Sequence, residues 1–137
     1  MSQENVEVVR RVYEAFARGD VPAVLSALDA RVEWREADNH PYADRNPYVG
    51  PDAVLTGVFA RLGGEWDGFA ATPDEILDAG DTVVARGHYT GTFRQTGERV
   101  RAQFAHFFTM RGGKVTKFQQ YTDTAQFLRA AGRGEAA

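Results

Sequence analysis

Apolar positions repeat with one period in the first half of the chain and another in the second. Val9, Val12, Tyr13 and Phe16 stand at i, i+3, i+4 and i+7, one stripe of an α-helix that Gly19 ends. Asp20 caps a second, shorter helix carrying Val24, Leu25 and Leu28, with Pro22 in its first turn, where a missing N–H costs little. These two helices form a hairpin. From Arg31 the period becomes two: Val32, Trp34 and Glu36 point one way, and Arg31, Glu33 and Arg35 the other, a strand with one wet face. Ala37 to Gly50 holds Asn39, His40, Pro41, Tyr42, Asn46, Pro47 and Tyr48, too many turn formers for a regular element, and is long enough to serve as a lid or a wall. Pro51 opens a third helix, whose Val54, Leu55, Val58, Phe59 and Leu62 form an apolar face before Gly63-Gly64 stops it.

The second half reads as strands: Phe69 to Asp78, bent or interrupted at Pro73, then Thr82 to Arg94, Arg99 to Met110 and Val115 to Asp123, joined by Ala79-Gly80-Asp81, Thr96-Gly97 and Gly112-Gly113. Thr124 to Ala131 reads as a short terminal helix and residues 132–137 as a flexible tail. Helices followed by an antiparallel meander give an α+β class, a curved antiparallel sheet wrapped around three N-terminal helices in one domain, residues 1–131.

Alternation along Arg99 to Met110 turns Val100, Ala102, Phe104, His106, Phe108 and Met110 inward. With two-residue turns, the ladders set Phe93 across from Val100, Tyr89 from Phe104 and Gly87 from His106; on the other side Gln119 faces His106 and Tyr121 faces Phe104. The expected inner face then carries Tyr89, Phe104, His106, Phe108, Gln119, Tyr121 and Asp123. Ala85, Gly87 and Gly91 add almost no side chain to it, and polar groups stand among aromatics, the make-up of a small-molecule pocket. Trp34 and Glu36 can close the pocket from the first strand, and Tyr42 or His40 from the long loop.

Composition narrows the chemistry. The 137 residues include 16 Lys+Arg and 19 Asp+Glu, a formal charge of −3, with 43% hydrophobic residues: a chain able to bury a core, with no basic stripe for a phosphate backbone or an anionic membrane. Neither nucleic acid nor membrane is an expected partner. Absence of cysteine excludes disulfides, thiolate metal sites and cysteine nucleophiles. The polar start Met1-Ser2-Gln3-Glu4-Asn5 and the lack of a long apolar run predict a cytoplasmic protein. Three histidines without HExxH spacing or a carboxylate cluster give no metal site, and the glycines match neither Rossmann nor P-loop patterns. No Ser/His/Asp arrangement is signalled. Acid–base chemistry without a cofactor, on a small apolar molecule, is the expectation that remains.

Six segments, Tyr13-Glu14-Ala15-Phe16-Ala17-Arg18-Gly19-Asp20, Val32-Glu33-Trp34, Gly50-Pro51-Asp52-Ala53-Val54, Phe104-Ala105-His106, Gly113-Lys114-Val115 and Gln120-Tyr121-Thr122-Asp123-Thr124, together resemble the SnoaL-like branch of the nuclear transport factor 2-like superfamily over nearly the whole chain. The resemblance implies a cone-shaped α+β barrel with a deep apolar pocket and a homodimer, for which Phe107 and Phe118 on the otherwise polar face are the local support. Polyketide cyclases, ketosteroid isomerases, epoxide hydrolases, dehydratases and non-catalytic binding domains all share that fold, so it does not give the function. A cyclase or isomerase type of reaction on a carbonyl compound is one expectation; a non-catalytic ligand-binding or dimerisation domain is the other.

For the first, the resemblance implies Asp123 as general acid/base, while its place before the terminal helix equally fits an N-cap. His106 is either its partner, orienting a carboxylate or protonating an oxyanion, or a buried imidazole with a satisfied hydrogen bond. Glu36 is a second base or a solvated strand-end glutamate. Tyr13, Tyr42, Tyr89 and Tyr121 are phenol donors to a substrate oxygen or plain core aromatics, and Trp34, Phe104, Phe108 and Gln119 complete the expected substrate-binding wall. The chain departs from the ketosteroid isomerase pattern of a base Asp facing a Tyr and a protonated Asp, because those carboxylate positions fall on Trp34 and Ala105. That alignment would turn Ala105 inward where the alternation turns His106; one bulge or one extra turn residue would reconcile them.

Overall fold

The computed structural model describes residues 2–133; of the expected tail, residues 134–137 lie outside the described residues. Helix α1 (Ser2–Ala17) and helix α2 (Val21–Ser26), the latter capped by Asp20 accepting from the Ala23 N–H, make the expected hairpin. Strand β1 (Leu28–Arg35) starts earlier than the alternation indicated, so Leu28 is its first residue and not part of α2. Within the long loop lie a 3₁₀ turn (Pro41–Arg45) and a two-residue strand, β2 (Tyr48–Val49). The third helix runs through its glycine pair as α3 (Pro51–Val54), a π-helical stretch (Leu55–Phe59) and α4 (Ala60–Glu65). Strands β3 (Trp66–Ala79), β4 (Thr82–Phe93), β5 (Arg99–Arg111) and β6 (Lys114–Thr122) follow, then helix α5 (Thr124–Ala130).

The strands form one curved six-stranded sheet in the order β2-β1-β6-β5-β4-β3. It is mixed, because β1 returns to lie parallel to β6, with Trp34 opposite Phe118, while the remaining neighbours are antiparallel. The meander alone cannot reveal this, since a parallel pair joins elements far apart in sequence. Val9, Tyr13, Val32, Trp34, Val54, Val58, Phe104, Phe108 and Phe118 fill the concave side between sheet and helices.

Two turns decide which side chains line that side. The β4–β5 hairpin closes with Phe93 N–H donating to the Glu98 carbonyl, a four-residue loop where two were expected, so Gly91 pairs with Val100, Gly87 with Phe104 and Ala85 with His106. A slip of two keeps every side chain on its face. Between β5 and β6, Met110 pairs with Val115 but Thr109 pairs with Lys117, leaving Thr116 as an extra residue whose hydroxyl donates to the Thr109 carbonyl. A one-residue bulge reverses the faces beyond it. Phe118 and Gln120 therefore point inward, both 4% exposed, while Gln119, Tyr121 and Asp123 leave the inner face. His106 stays inside, opposite Gln120, and Ala105 lies opposite Tyr121.

Gly87 does not leave room for a ligand. A Cβ there would run into the Thr72 carbonyl oxygen and stand 2.8 Å from Pro73 Cα and 2.9 Å from Phe104 Cζ, so the bend of β3 at Pro73 already fills the gap. Backbone atoms cannot swing aside as a side-chain tip does. Gly87→Ala is expected to lower unfolding stability by about 2 kcal/mol or more, read as a shift of the urea midpoint at unchanged slope; an unchanged midpoint would show that β3 yields freely at this bend.

Candidate functional site

The concave side holds an apolar cavity of about 60 Å³, room for a few waters or a small organic fragment. Helix α1 contributes Val12, Tyr13 and Phe16 to it, and the third helix Val58, Phe59 and Leu62. The sheet contributes Trp34, Tyr89, His106, Phe108, Phe118 and Gln120, while Glu36 and His40 enter from the segment after β1. The polar groups form two sets facing one apolar space.

The first set is built on Glu36. It is 3% exposed, and the alternation that buries Val32 and Trp34 carries it inward one residue past the end of β1. Trp34 Nε1–H donates to Oε2 at 2.8 Å, and the backbone is clamped by Asn46, whose Oδ1 accepts from the Glu36 N–H and whose Nδ2 donates to the Glu36 carbonyl. The other carboxylate oxygen, Oε1, has His40 Nδ1 at 3.9 Å, beyond hydrogen-bond reach, and is the open acceptor of the site. Burial away from water pushes the carboxyl up to about 7, against the smaller opposing pulls of the Trp34 N–H and the Arg61 charge. His40 Nδ1 accepts the Tyr42 N–H, and burial, with smaller contributions from Arg61 and Arg133, lowers that imidazole to about 3.

The second set is a chain of polar groups across the sheet. Tyr13 Oη lies 2.5 Å from His106 Nδ1 and Tyr89 Oη 2.5 Å from His106 Nε2; Gln120 Nε2 donates to Tyr89 Oη at 2.8 Å, and Gln120 Oε1 accepts the Ala37 N–H at 3.0 Å. Phe104 stacks on the imidazole, with centroids 4.0 Å apart. With no carboxylate bonded to it, His106 is held down to about 3 by burial and is neutral at physiological pH. Burial raises both Tyr13 and Tyr89 well above the ordinary phenol range, so both keep their protons. Among the described residues, no group of three or more His, Cys, Asp and Glu converges to hold a metal ion.

The structure thus brings together Tyr13, Trp34, Glu36, Tyr89, His106 and Phe108 of the expected wall, with Phe104 behind the imidazole. Four expected members are elsewhere. Asp123 is exposed and accepts from Gln126 Nε2 at 2.9 Å; it stands at the N-cap position of α5 without a side-chain capping bond. Tyr121 is 55% exposed on the outer face, and Gln119, half-buried, donates to the Gln120 carbonyl. The Thr116 bulge is the reason for all three. Tyr42 lies in a neighbouring polar recess, its hydroxyl donating to Glu65 Oε1 at 2.5 Å and its ring under the Arg61 guanidinium, so His40 takes its place as the loop's contribution. Gln120 and Phe118 were not readable as wall residues, because only the bulge turns them inward.

A family profile described as a SnoaL-like domain matches residues 9–118. The chain is similar to the crystal structure of an NTF2-like protein from Burkholderia thailandensis, with 36% identity, a TM-score of 0.88 and coverage of 93% of this chain and 96% of that one. It is also similar to TerC, co-crystallised with polyporic acid: 26% identity, TM-score 0.82, 93% of this chain and 97% of that one. Over 65 residues it is 35% identical to patulin synthesis protein F of Aspergillus clavatus, a match to 47% of this chain and only 32% of that protein.

Proposed function

The chain belongs to the SnoaL-like domain family, and from that premise we propose that it is an acid–base enzyme of cyclase or isomerase type, acting without a cofactor on a small apolar carbonyl compound. What carries this reading is one arrangement: a buried carboxyl poised near neutral pH with a free oxygen, sharing an apolar cavity with a neutral phenol–imidazole–phenol chain. Glu36 Oε1 takes the proton from the carbon beside the carbonyl, and electrons move to the carbonyl oxygen. A phenol of the chain donates a hydrogen bond to the enolate oxygen that forms. Glu36 then returns the proton to carbon, at the same or another position. A base near 7 is half ionised at neutral pH and still strong enough to compete for a carbon-bound proton. Asp123, exposed on the other side of the sheet, has no part in this proposal. A structural relative crystallised with polyporic acid supports a fold that admits small organic ligands. The proposed unit is a homodimer through the outer sheet face, where Phe107 and Tyr121 stand 40% and 55% exposed with ring centroids 5.7 Å apart.

The test is deuterium exchange in D₂O into the carbon beside the carbonyl of acetophenone and cyclopentanone, followed by proton NMR. Exchange faster than buffer with wild type, and reduced in Glu36→Gln, is the expected result. Exchange at the buffer rate, with both ketones recovered bound but unlabelled, would replace the enzyme by the ligand-binding domain.

A further inference from the structure

Counting hydrogens along the polar chain shows which group addresses the ligand. Gln120 is fixed in orientation, because its Oε1 accepts the Ala37 backbone N–H, so the end that meets Tyr89 is the donating amide. Three contacts link Gln120, Tyr89, His106 and Tyr13. The four groups bring four hydrogens to them: one from the amide, one from each phenol and one from the neutral imidazole. One phenol hydrogen is left over.

Two arrangements use the other three. In one, Tyr89 accepts from Gln120 and donates to His106 Nε2, the proton of His106 sits on Nδ1 and donates to Tyr13 Oη, and the Tyr13 O–H is spare. In the other, Tyr89 Oη accepts from both Gln120 and Nε2–H, and its own hydrogen is spare. The first is a head-to-tail chain in which each link polarises the next; the second loads two donors on a phenol oxygen whose lone pairs are partly delocalised into the ring. We infer that Gln120 is a positioning residue that sets the direction of this chain, places the His106 proton on Nδ1, and leaves the Tyr13 O–H as the hydrogen-bond donor offered to the ligand. The cavity then presents a phenol donor on α1, Tyr13, opposite a carboxylate acceptor, Glu36 Oε1, which suits a ligand with an acceptor oxygen and an acidic hydrogen. The ligand assignment rests on the acid–base reading above; the direction of the chain does not.

Gln120→Glu tests the count. Read at pH 9, above the range to which burial raises the neighbouring Glu36, the introduced side chain is a carboxylate: it still accepts the Ala37 N–H but accepts from Tyr89 as well, so Tyr89 turns away from Nε2, the His106 proton moves to Nε2 and Tyr13 donates to Nδ1. Three hydrogens then fill three contacts and none is spare. Nitrogen NMR of ring-labelled histidine in the intact protein reads the tautomer directly, because the unprotonated ring nitrogen resonates far downfield of the protonated one. Expected are a single Nδ1–H form in wild type and an Nε2–H form in the variant. An Nε2–H wild type overturns the direction, and an Nδ1–H variant overturns the role of Gln120. Should the buried carboxylate prevent folding, Gln120→Met removes the donor without adding a charge; a mixture of tautomers is then expected, and a pure Nδ1–H form overturns the assignment. Activity enters none of these readouts, so their failure is distinct from failure of the proposed reaction.

Discussion

Glu36→Gln is expected to slow ketone exchange by about 10²- to 10⁴-fold, the usual contribution of a positioned general base, while making the protein more stable above pH 7. The two effects share one cause. In the fold the carboxyl titrates at about 7 where the free side chain titrates at 4.5, so between these values the native state holds a proton that the unfolded chain has lost. Stability from the neutral form is fully present below pH 4.5, is lost as pH rises through 7, and stays lost above it. The ionised state costs roughly 3 kcal/mol. Glutamine keeps the shape and the acceptor for Trp34 Nε1 and never ionises, so the difference between variant and wild type should grow from near zero at pH 4 to that size at pH 8. Urea titrations at several pH values check it. His40 and His106 act in the opposite sense, losing stability as pH falls below 6.5, and they cancel in the difference because both proteins carry them. Wild-type turnover should fall below pH 7 as the base protonates, and a flat difference in stability would show that water reaches the carboxyl.

The part of this site legible in the sequence was the part that periodicity controls. Period two from Val32 through Glu36 put the carboxyl on the buried side, and the same period on β5 put His106 inward against a motif alignment favouring Ala105. A slip of two in the β4–β5 loop left those faces intact, because strand faces depend only on whether the slip is odd or even. The bulge at Thr116 is odd. Nothing in Lys114-Val115-Thr116-Lys117 distinguishes a regular strand from a bulged one; the extra residue is specified by the partner strand and by the Thr116 hydroxyl on the Thr109 carbonyl. From that single residue came the exchange of Gln119, Tyr121 and Asp123 for Phe118 and Gln120. Glu36 depends on more than periodicity. Alternation gives its direction and supplies Trp34 beside it, but its isolation from water also depends on Asn46 and His40, which reach it from a loop with no period.

Tyr13→Phe should cost about 10²- to 10³-fold in kcat with little change in KM, because the hydrogen bond it removes strengthens as charge develops on the substrate oxygen. The residue is suited to this measurement. Its ring stacks on Phe104 and His106 and meets Phe108 edge-on, and phenylalanine keeps all three contacts, so the cavity wall survives. What is lost besides the spare O–H is the acceptor for the His106 Nδ1 proton, a buried donor left unpaired at about 1–3 kcal/mol of folding stability. The low-pH limb of the rate profile should stay where wild type has it, since Glu36 is untouched, and that separates loss of the oxygen holder from loss of the base. A variant as fast as wild type would move the donor to Tyr89 and reverse the polar chain. Combined with Glu36→Gln, Tyr13→Phe should add little further loss, because an enolate that is never formed needs no stabilisation; two groups serving one proton transfer fail together.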